Sequence, residues 1–426
     1  MDSGYRIRRA ESPEDVGKLR DHFNEIFHPQ EVGGFAETVS LHLPGMENKR
    51  WFIAADIETG EIAAAFALIP WTWEMRGLRL KVAERGIVGT REGHRNRGLM
   101  KLLSREFEAT LEEEGFDLSV VQGIPGFYHR FGYHYSIPLE THIDIPLHLV
   151  PNLADDEAYE FRLAGTGDMP FLAGEDERYR RSNFLSVYRD DDHWKYLLTY
   201  SQKTEYGSEF WIMEGKGAEE KYYFRIPREG FGAGLIVSEI SEGISDDGLI
   251  NMLAFCKKKA AERGKPFIRL NLSCESIAAK TALSFGASSG RPYAWQIKVP
   301  DKKRLLEKMA PVLEARLKES SFAGFTGVLR LDFYTEHIDL SWTDGRLEAV
   351  RSGSEGECDK TFFLSDDLFP PFVLGHRSWQ ELQYTRPDIF PAMLYVGSGT
   401  DGASDKTIRL IEALFPAERS WVYEQY

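Results

Sequence analysis

Between residues 78 and 122 the sequence passes from a predicted strand through a basic turn into an amphipathic helix, and then into a short apolar strand. Residues 78–88 have the pattern of a strand, residues 98–113 carry apolar side chains at helical spacing, and the short run LSVVQ follows. A strand, a helix and a strand in this order place the two strands parallel in one sheet, with the helix as the crossover. Because two further strands precede them as a meander, we predict a mixed α/β sheet for this part of the chain.

The rest of the sequence predicts two more parts, and a length of 426 residues is typical of two to four domains. We assign residues 1–150 to the first domain. Residues 151–300 repeat the order of strands, helix and strand more loosely, but read SEGISDDG where the first copy has its basic turn. We interpret them as a divergent copy that has lost the function of that turn. Residues 301–426 begin with the amphipathic helix KKRLLEKMAPVLEARL and continue with a hairpin of period two, which predicts an α+β module.

The overall charge and the cysteines narrow the class of protein. A formal net charge of −15 disfavours nucleic acid and anionic membrane as partners and mildly favours cationic substrates. The 3 cysteines have no CxxC spacing, so we expect neither a disulfide framework nor a metal site. No apolar run is long enough to span a bilayer, and the first residues lack the apolar core of a signal peptide, which predicts a cytoplasmic protein.

A basic cluster in so acidic a chain needs a local reason, and the turn HRNRG stands at the start of the predicted helix. The free amide groups and the dipole of a helix make its amino terminus a good site for an anion. Arg95 and Arg97 add full charges, and Gly98 lets an anion approach the backbone. We therefore predict a pyrophosphate cradle, with a solvated corner as the alternative. The later run FYHRFGYHY favours the cradle, because its loop would face the same cleft.

These residues together resemble the GNAT superfamily of acyl-coenzyme A N-acyltransferases. The motif of that superfamily is Arg or Gln, two residues, Gly, any residue, and then Gly or Ala. In this sequence it falls on Arg95, Asn96, Arg97, Gly98, Leu99 and Met100. Met100 departs from the motif, where a small residue is usual. The resemblance implies acetyl-coenzyme A as cosubstrate, with its pantetheine arm paired to the backbone of Val88, Gly89 and Thr90 on a strand that bulges and splays from its neighbour.

The order of the parts resembles the Eis (enhanced intracellular survival) family more narrowly. The implied fold class is α/β (α+β), with two tandem GNAT-like modules, the second degenerate, followed by a sterol-carrier-like domain. Similarity covers the whole chain in architecture, but motif similarity is confined to residues 86–135. The family implies acetylation of amines on cationic small molecules or peptides, and a homo-oligomer, a hexamer. Because GIPGF replaces the serine-glutamate run that often precedes the family's tyrosine, the resemblance implies no particular acceptor.

The Eis resemblance also implies the catalytic groups. The tyrosine of the family's YxRFGY motif is the general acid, which maps to Tyr128, and the carboxylate of the last residue, here Tyr426, is the base. The reaction needs both, because an alkylamine must lose a proton at a cost of about 4 to 5 kcal/mol at pH 7, and the departing thiolate must gain one. A backbone amide near Val88 could stabilise the oxyanion formed on attack. The role of Tyr426 belongs to the chain end, so its side chain is expected to matter less than its position.

Two alternatives stay open on the residues alone. Tyr128 could belong to an aromatic core cluster with Phe127, Phe131 and Tyr133. The chain could also be a noncatalytic protein that binds acyl-coenzyme A, or binds lipid in its carrier-like domain. A tyrosine at position 128 beside a complete cradle favours the enzyme.

Overall fold

The part of the chain that precedes residue 151 forms a sheet with helices on both faces. The structure, a computed structural model, describes residues 4–153, 158–217, 220–230, 232–353, 356–391, 403–423 and 426. The strands and helices of this first part, in chain order, are β1 (Tyr5–Arg9), α1 (Pro13–Phe27), α2 (Val32–His42), β2 (Trp51–Asp56), β3 (Ile62–Met75), β4 (Leu78–Thr90), α3 (Leu99–Glu113), β5 (Leu118–Val121), β6 (His134–Glu140) and β7 (Ile143–Pro146). The predicted meander and the predicted helix crossover are both present, since β2, β3 and β4 pair antiparallel and β4 pairs parallel with β5.

The apolar pattern explains why β3 lies in the middle of this sheet. Residues 62–69 are buried without interruption, as a strand covered on both faces requires. On one face, α3 packs Leu103 and Phe107 against Phe66. On the other face, α1 and α2 contribute Phe23 and Phe35 to the larger core of the molecule.

The second part contributes strands to more than one sheet. Its elements, in chain order, are β8 (Tyr159–Leu163), α4 (Met169–Ser182), β9 (Leu185–Val187), α5 (Asp191–Thr199), β10 (Ser208–Gly215), β11 (Lys221–Pro227), β12 (Leu235–Val237), β13 (Glu239–Ile240), α6 (Asp246–Glu262), β14 (Phe267–Leu270), α7 (Ile277–Ser284), β15 (Ser288–Ser289) and β16 (Tyr293–Lys298). The strand β16 lies between β5 and β6, and β9 pairs with β3. Conversely, β7 pairs with β14. The first two parts therefore exchange strands.

The third part is an α+β unit around one sheet, as its pattern predicts. Its elements are α8 (Lys302–Lys308), α9 (Ala310–Lys318), β17 (Gly327–Asp332), β18 (His337–Thr343), β19 (Arg346–Ser352), β20 (Lys360–Phe363), α10 (Phe369–Val373), α11 (Trp379–Thr385), β21 (Phe390–Pro391) and α12 (Ala403–Leu414). The single amphipathic helix predicted at its start is two helices, because Pro311 lies in the first turn of α9 and has no amide hydrogen for a continuous helix. The hairpin of period two is β18–β19.

The segment after α12 runs back along the second part. The amide of Phe184 donates to the carbonyl of Arg419, and that of Trp421 donates to the carbonyl of Leu185. The ring of Tyr423 stacks on Tyr179 at a centroid distance of 4.2 Å. The tail is thus docked against the second part. None of the helices described in the structure is both long and apolar enough to cross a membrane.

Candidate functional site

The parting of β4 from β5 defines the site. Their parallel pairing ends at Glu84 and Val120. Just beyond, the β3–β4 register shifts and Ile87 has a φ of 51°, a backbone conformation that a β-branched residue rarely adopts. The strand therefore bulges and leaves its neighbour at the position that the superfamily resemblance implied.

A cleft of about 1120 Å³ opens at this point and reaches the start of α3. The cleft is lined by all nine residues predicted to bind coenzyme A: Val88, Gly89, Thr90, Arg95, Asn96, Arg97, Gly98, Leu99 and Met100. Further basic side chains in its wall are Lys101, Arg105, Arg130 and Lys298. In a chain of net charge −15, this concentration of cations favours a polyanionic ligand.

The start of α3 is built to leave its amides free. Gly98 is the N-cap residue, with a φ of 76°, and no side chain caps the helix. A Cβ atom added at Gly98 would meet nothing within 4 Å, so the space above the backbone is open. Unpaired amides, flanking arginines and open space together fit a coenzyme A pyrophosphate.

Tyr128 begins a short helical turn at the edge of the cleft and is only 6% exposed. Its ring lies against Gly123, where a Cβ atom would come within 2.2 Å of a ring carbon, so only glycine fits there. Phe127 and Phe131 of the same turn line the cleft, whereas Tyr128 packs among them and Tyr133. Burial raises the pKa of Tyr128 to about 12, against an opposing effect of the nearby Arg85 charge, so the phenol holds its proton at neutral pH.

Arg85 is a buried cation that the sequence analysis missed. Its guanidinium lies 4.7 to 5.3 Å from the ring centroids of Phe66, Phe107, Phe131 and Tyr133. Within the described part of the chain, its Nε and Nη2 atoms are buried without a hydrogen-bond partner. The surrounding rings stabilise the charge, since cation–π attraction strengthens when the cation is desolvated.

Tyr426 lies on the face of β4 that is opposite the side chain of Arg85. Its ring packs edge-on against Phe35 and Trp71, at centroid distances of 4.9 and 5.5 Å. Its hydroxyl lies above Gly86, 3.3 Å from the position that a Cβ atom would take there. Its main-chain oxygen accepts a hydrogen bond from Arg225. The structure therefore brings Tyr426 to the parting strands, although the sequence offered no sign that its hydroxyl would face them.

Glu84 is the second group that sequence reasoning missed. Its carboxyl is 3% exposed and accepts a hydrogen bond of 2.7 Å from Trp71 Nε1. The Tyr426 hydroxyl and the Gln122 side chain are its other hydrogen-bond partners. Burial outweighs these bonds and raises the pKa of Glu84 to about 7. The sequence signal was the adjacent ionisable pair Glu84 and Arg85 in a strand whose other charged residues, Arg79 and Lys81, come earlier.

Within the described residues, no group of three or more His, Cys, Asp or Glu side chains is placed to hold a metal ion. The site combines a basic cleft, a buried tyrosine and a buried carboxyl.

Comparison with known proteins identifies the fold around this site. Residues 6–136 match the family model of an acetyltransferase (GNAT) domain. No curated protein matches the chain. A probable N-acyltransferase from Enterococcus faecalis V583 has a similar structure, with a TM-score of 0.69 and 12% identity over 99% of each chain.

Two further solved structures share this architecture along nearly their whole length. A GCN5-related N-acetyltransferase from Anabaena variabilis has a TM-score of 0.65 and 14% identity, over 98% of this chain and 99% of that one. Eis1 from Mycobacterium abscessus has a TM-score of 0.57 and 15% identity, over the same shares of the two chains. The chain thus contains a segment similar to a GNAT acetyltransferase domain, and its whole length shares the fold of these solved structures.

Proposed function

We propose that the protein transfers an acetyl group from acetyl-coenzyme A to the primary amine of a cationic substrate. The observation that carries this proposal is the cleft lined by all nine residues predicted to bind coenzyme A, at an uncapped helix start and beside the parting of β4 and β5. In the proposal, the start of α3 binds the pyrophosphate and the backbone of Val88 to Thr90 holds the pantetheine arm. The acidic surface draws the cationic acceptor.

We assign the role of general acid to Tyr128. Its phenol is buried beside the cleft and keeps its proton, because burial holds the pKa at about 12. It gives that proton to the sulfur of the departing coenzyme A when the acetyl group passes to the amine. The amine must first lose a proton, and the Eis resemblance gives the carboxylate of Tyr426 as the acceptor. The position of Tyr426 beside Gly86, at the parting strands, supports this second assignment.

The finer architecture is part of the same proposal. We propose an Eis-like organisation, with a degenerate GNAT-like module at residues 151–300 and a sterol-carrier-like domain at residues 301–426, in a cytoplasmic homo-oligomer. The likeness to Eis1 from Mycobacterium abscessus along nearly the whole chain supports this organisation.

A thiol-release assay over a panel of amines tests the function. The panel contains polyamines, aminoglycosides, lysine peptides and arylamines, each with acetyl-coenzyme A. We expect release with at least one cationic alkylamine and a product heavier by one acetyl group in mass spectrometry. Binding of coenzyme A without release for any amine would instead favour the noncatalytic alternative.

A further inference from the structure

We infer that the buried charge of Arg85 stabilises the phenolate that Tyr128 becomes when it protonates the departing sulfur. The inference rests on the proposed function and deepens it, because it adds a residue that supports the general acid. Arg85 acts through Tyr128 rather than on a substrate, so it is a positioning residue.

The Arg85 side chain is a cation held in an apolar part of the molecule. It is 3% exposed, and its Nε and Nη2 atoms have no hydrogen-bond partner among the residues that the structure describes. Other buried arginines are arranged differently, since Arg189 and Arg225 both pair with Glu239. A buried charge that lacks such a partner costs stability. Its place beside the cleft therefore indicates a function other than stability.

Two of the rings around Arg85 also contact Tyr128. The guanidinium carbon of Arg85 lies 5.0 Å from the ring centroid of Phe131 and 5.3 Å from that of Tyr133. The ring centroid of Tyr128 lies 6.5 Å and 6.1 Å from the same two centroids. The cation and the phenol thus belong to one aromatic cluster, where charges interact more strongly than they do in water.

The other cations near this cluster are paired or exposed. The Nζ atom of Lys298 donates to Glu108 at 2.8 Å. Arg130 is exposed to solvent, which screens its charge. Arg85 is therefore the cation that can act on the Tyr128 oxygen without a competing partner or solvent.

Burial makes Tyr128 a poor acid, and Arg85 opposes this effect. Burial raises the pKa of the phenol, Tyr133 raises it further and the charge of Arg85 lowers it, with about 12 as the result. An ordinary thiol has a pKa of about 8.5. Because the phenol is a weaker acid than the thiol, stabilisation of the phenolate favours transfer of its proton to the sulfur.

The step balances in atoms and in charge. The bond between the acetyl carbon and the sulfur breaks, and its electron pair stays on the sulfur. The hydroxyl proton of Tyr128 passes to that sulfur, which leaves as a thiol, and the negative charge remains on the Tyr128 oxygen. The guanidinium of Arg85 keeps its proton throughout and stabilises this charge. Solvent, which receives the proton lost by the amine, then returns one to Tyr128.

Thiol-release kinetics on Arg85→Met and Arg85→Lys test the inference, with the amine that gives the fastest release. Methionine suits an aromatic cluster but carries no charge, whereas lysine keeps the charge. We expect Arg85→Met to lower kcat by roughly tenfold, as for loss of a cation beside an ionising group, with an unchanged affinity for coenzyme A. Arg85→Lys should keep most of the turnover.

Thermal unfolding separates this role from a structural one. Since Arg85→Met removes a buried charge that has no paired anion, its Tm should be no lower than that of the wild type. Arg50→Met is the matched control, because Arg50 is also buried near an aromatic ring but pairs with Glu114, and neither residue lines the cleft. This control should lower Tm and leave kcat unchanged.

The Tyr128→Phe background tests whether Arg85 acts through the phenol. Adding Arg85→Met to Tyr128→Phe should cause no further loss of kcat, since no phenolate forms there. Wild-type kcat in Arg85→Met, or an equal loss from Arg85→Met in both backgrounds, would overturn this inference alone. Absence of thiol release by the wild-type protein with every amine would overturn the proposed function and this inference together.

Discussion

The helix that follows the strand begins in opposite ways in the first and second parts. At α3 the N-cap residue is Gly98 in a left-handed conformation, with no side-chain cap and no acidic residue in the first turn. At α6 the N-cap is Ser245, whose hydroxyl accepts a hydrogen bond of 3.1 Å from the amide of Gly248, and Asp246 and Asp247 follow. Both helices cross between parallel strands. The amides of α3 are left for a ligand, whereas α6 satisfies its own.

The strands that precede these two helices each carry a buried glutamate, and the two glutamates differ in whether charged side chains of the protein pair with them. Glu84 on β4 has the neutral partners Trp71, Tyr426 and Gln122, and burial raises its pKa to about 7. Glu239 on β13 pairs with Arg189 and Arg225, and these cations hold its pKa below the usual value against burial. The second part thus uses its buried charge for structure. The first part keeps a carboxyl that exchanges a proton near neutral pH.

The largest expected effect is on kcat, and it concerns the turn of Tyr128, which follows β5 in the first part and has no counterpart after β14 in the second. After β14 the chain enters α7, which is capped by Ser276, whereas after β5 it forms the turn of Tyr128. Tyr128→Phe should lower kcat by roughly 100 to 10,000 fold and leave the affinity for acetyl-coenzyme A nearly unchanged, since only the proton donor is lost. Single-turnover kinetics and calorimetry measure the two effects. Wild-type turnover in the variant would show that Tyr128 is a packing residue.

The second prediction compares how the loss of each buried glutamate, Glu239 or Glu84, changes the free energy of unfolding. Glu239→Gln should lower the free energy of unfolding by about 3 to 5 kcal/mol, because two buried arginines lose their shared partner. Glu84→Gln should not destabilise the protein at pH 8. Denaturant titrations of both variants at pH 5 and pH 8 measure the difference.

The pH dependence of these two sites has opposite signs. The folded state holds a proton on Glu84 between pH 4.5 and about 7, where the unfolded chain has lost it, so this site lowers stability as pH rises through that window. The change is on the order of 3 kcal/mol and should be absent from Glu84→Gln. Glu239, with its lowered pKa, contributes stability that is present above its usual pKa and lost as pH falls. The free energy of unfolding of the wild type, relative to that of Glu84→Gln, should therefore decrease as the pH rises. A difference that stays constant with pH would contradict this assignment.

The smallest effect tests the cap of α6. Ser245→Ala removes the hydroxyl that satisfies the amide of Gly248 and should cost about 1 kcal/mol of stability. The affinity for acetyl-coenzyme A should stay unchanged, because this helix start binds no ligand in our account. Thermal unfolding and calorimetry on the same sample check both statements. Weaker coenzyme A binding in this variant would mean that the second part takes part in the site.

The sequence analysis predicted features that depend on local chemistry. Arg95, Arg97 and Gly98 lie within four residues, and their relation to the helix start follows from chain order alone. Even a local signal was overlooked at Pro311, which divides the predicted helix into α8 and α9. The strand β16 was predicted as a strand, but its place in the first sheet depends on long-range pairing that no pattern within residues 293–298 reveals.

The contact between Glu84 and Tyr426 could not be predicted for the same reason. It exists because the tail follows β9 and reaches the face of β4 that bears Gly86. Arg85 is similar, since its four aromatic neighbours come from β3, from α3 and from the segment between β5 and β6. Burial of an ionisable side chain depends on packing between elements that are distant in the sequence.

Calorimetric titration of acetyl-coenzyme A into the wild-type protein, Gly98→Asp and Ser245→Asp tests whether the start of α3 binds coenzyme A and the start of α6 does not. We expect one site per chain in the wild-type protein. Gly98→Asp should lose at least about tenfold in affinity, because a carboxylate would oppose the pyrophosphate at a helix start and the left-handed backbone disfavours a side chain. Ser245→Asp should bind like the wild type. Equal affinity in a folded Gly98→Asp, or a second site that Ser245→Asp abolishes, would contradict these roles of the two helix starts.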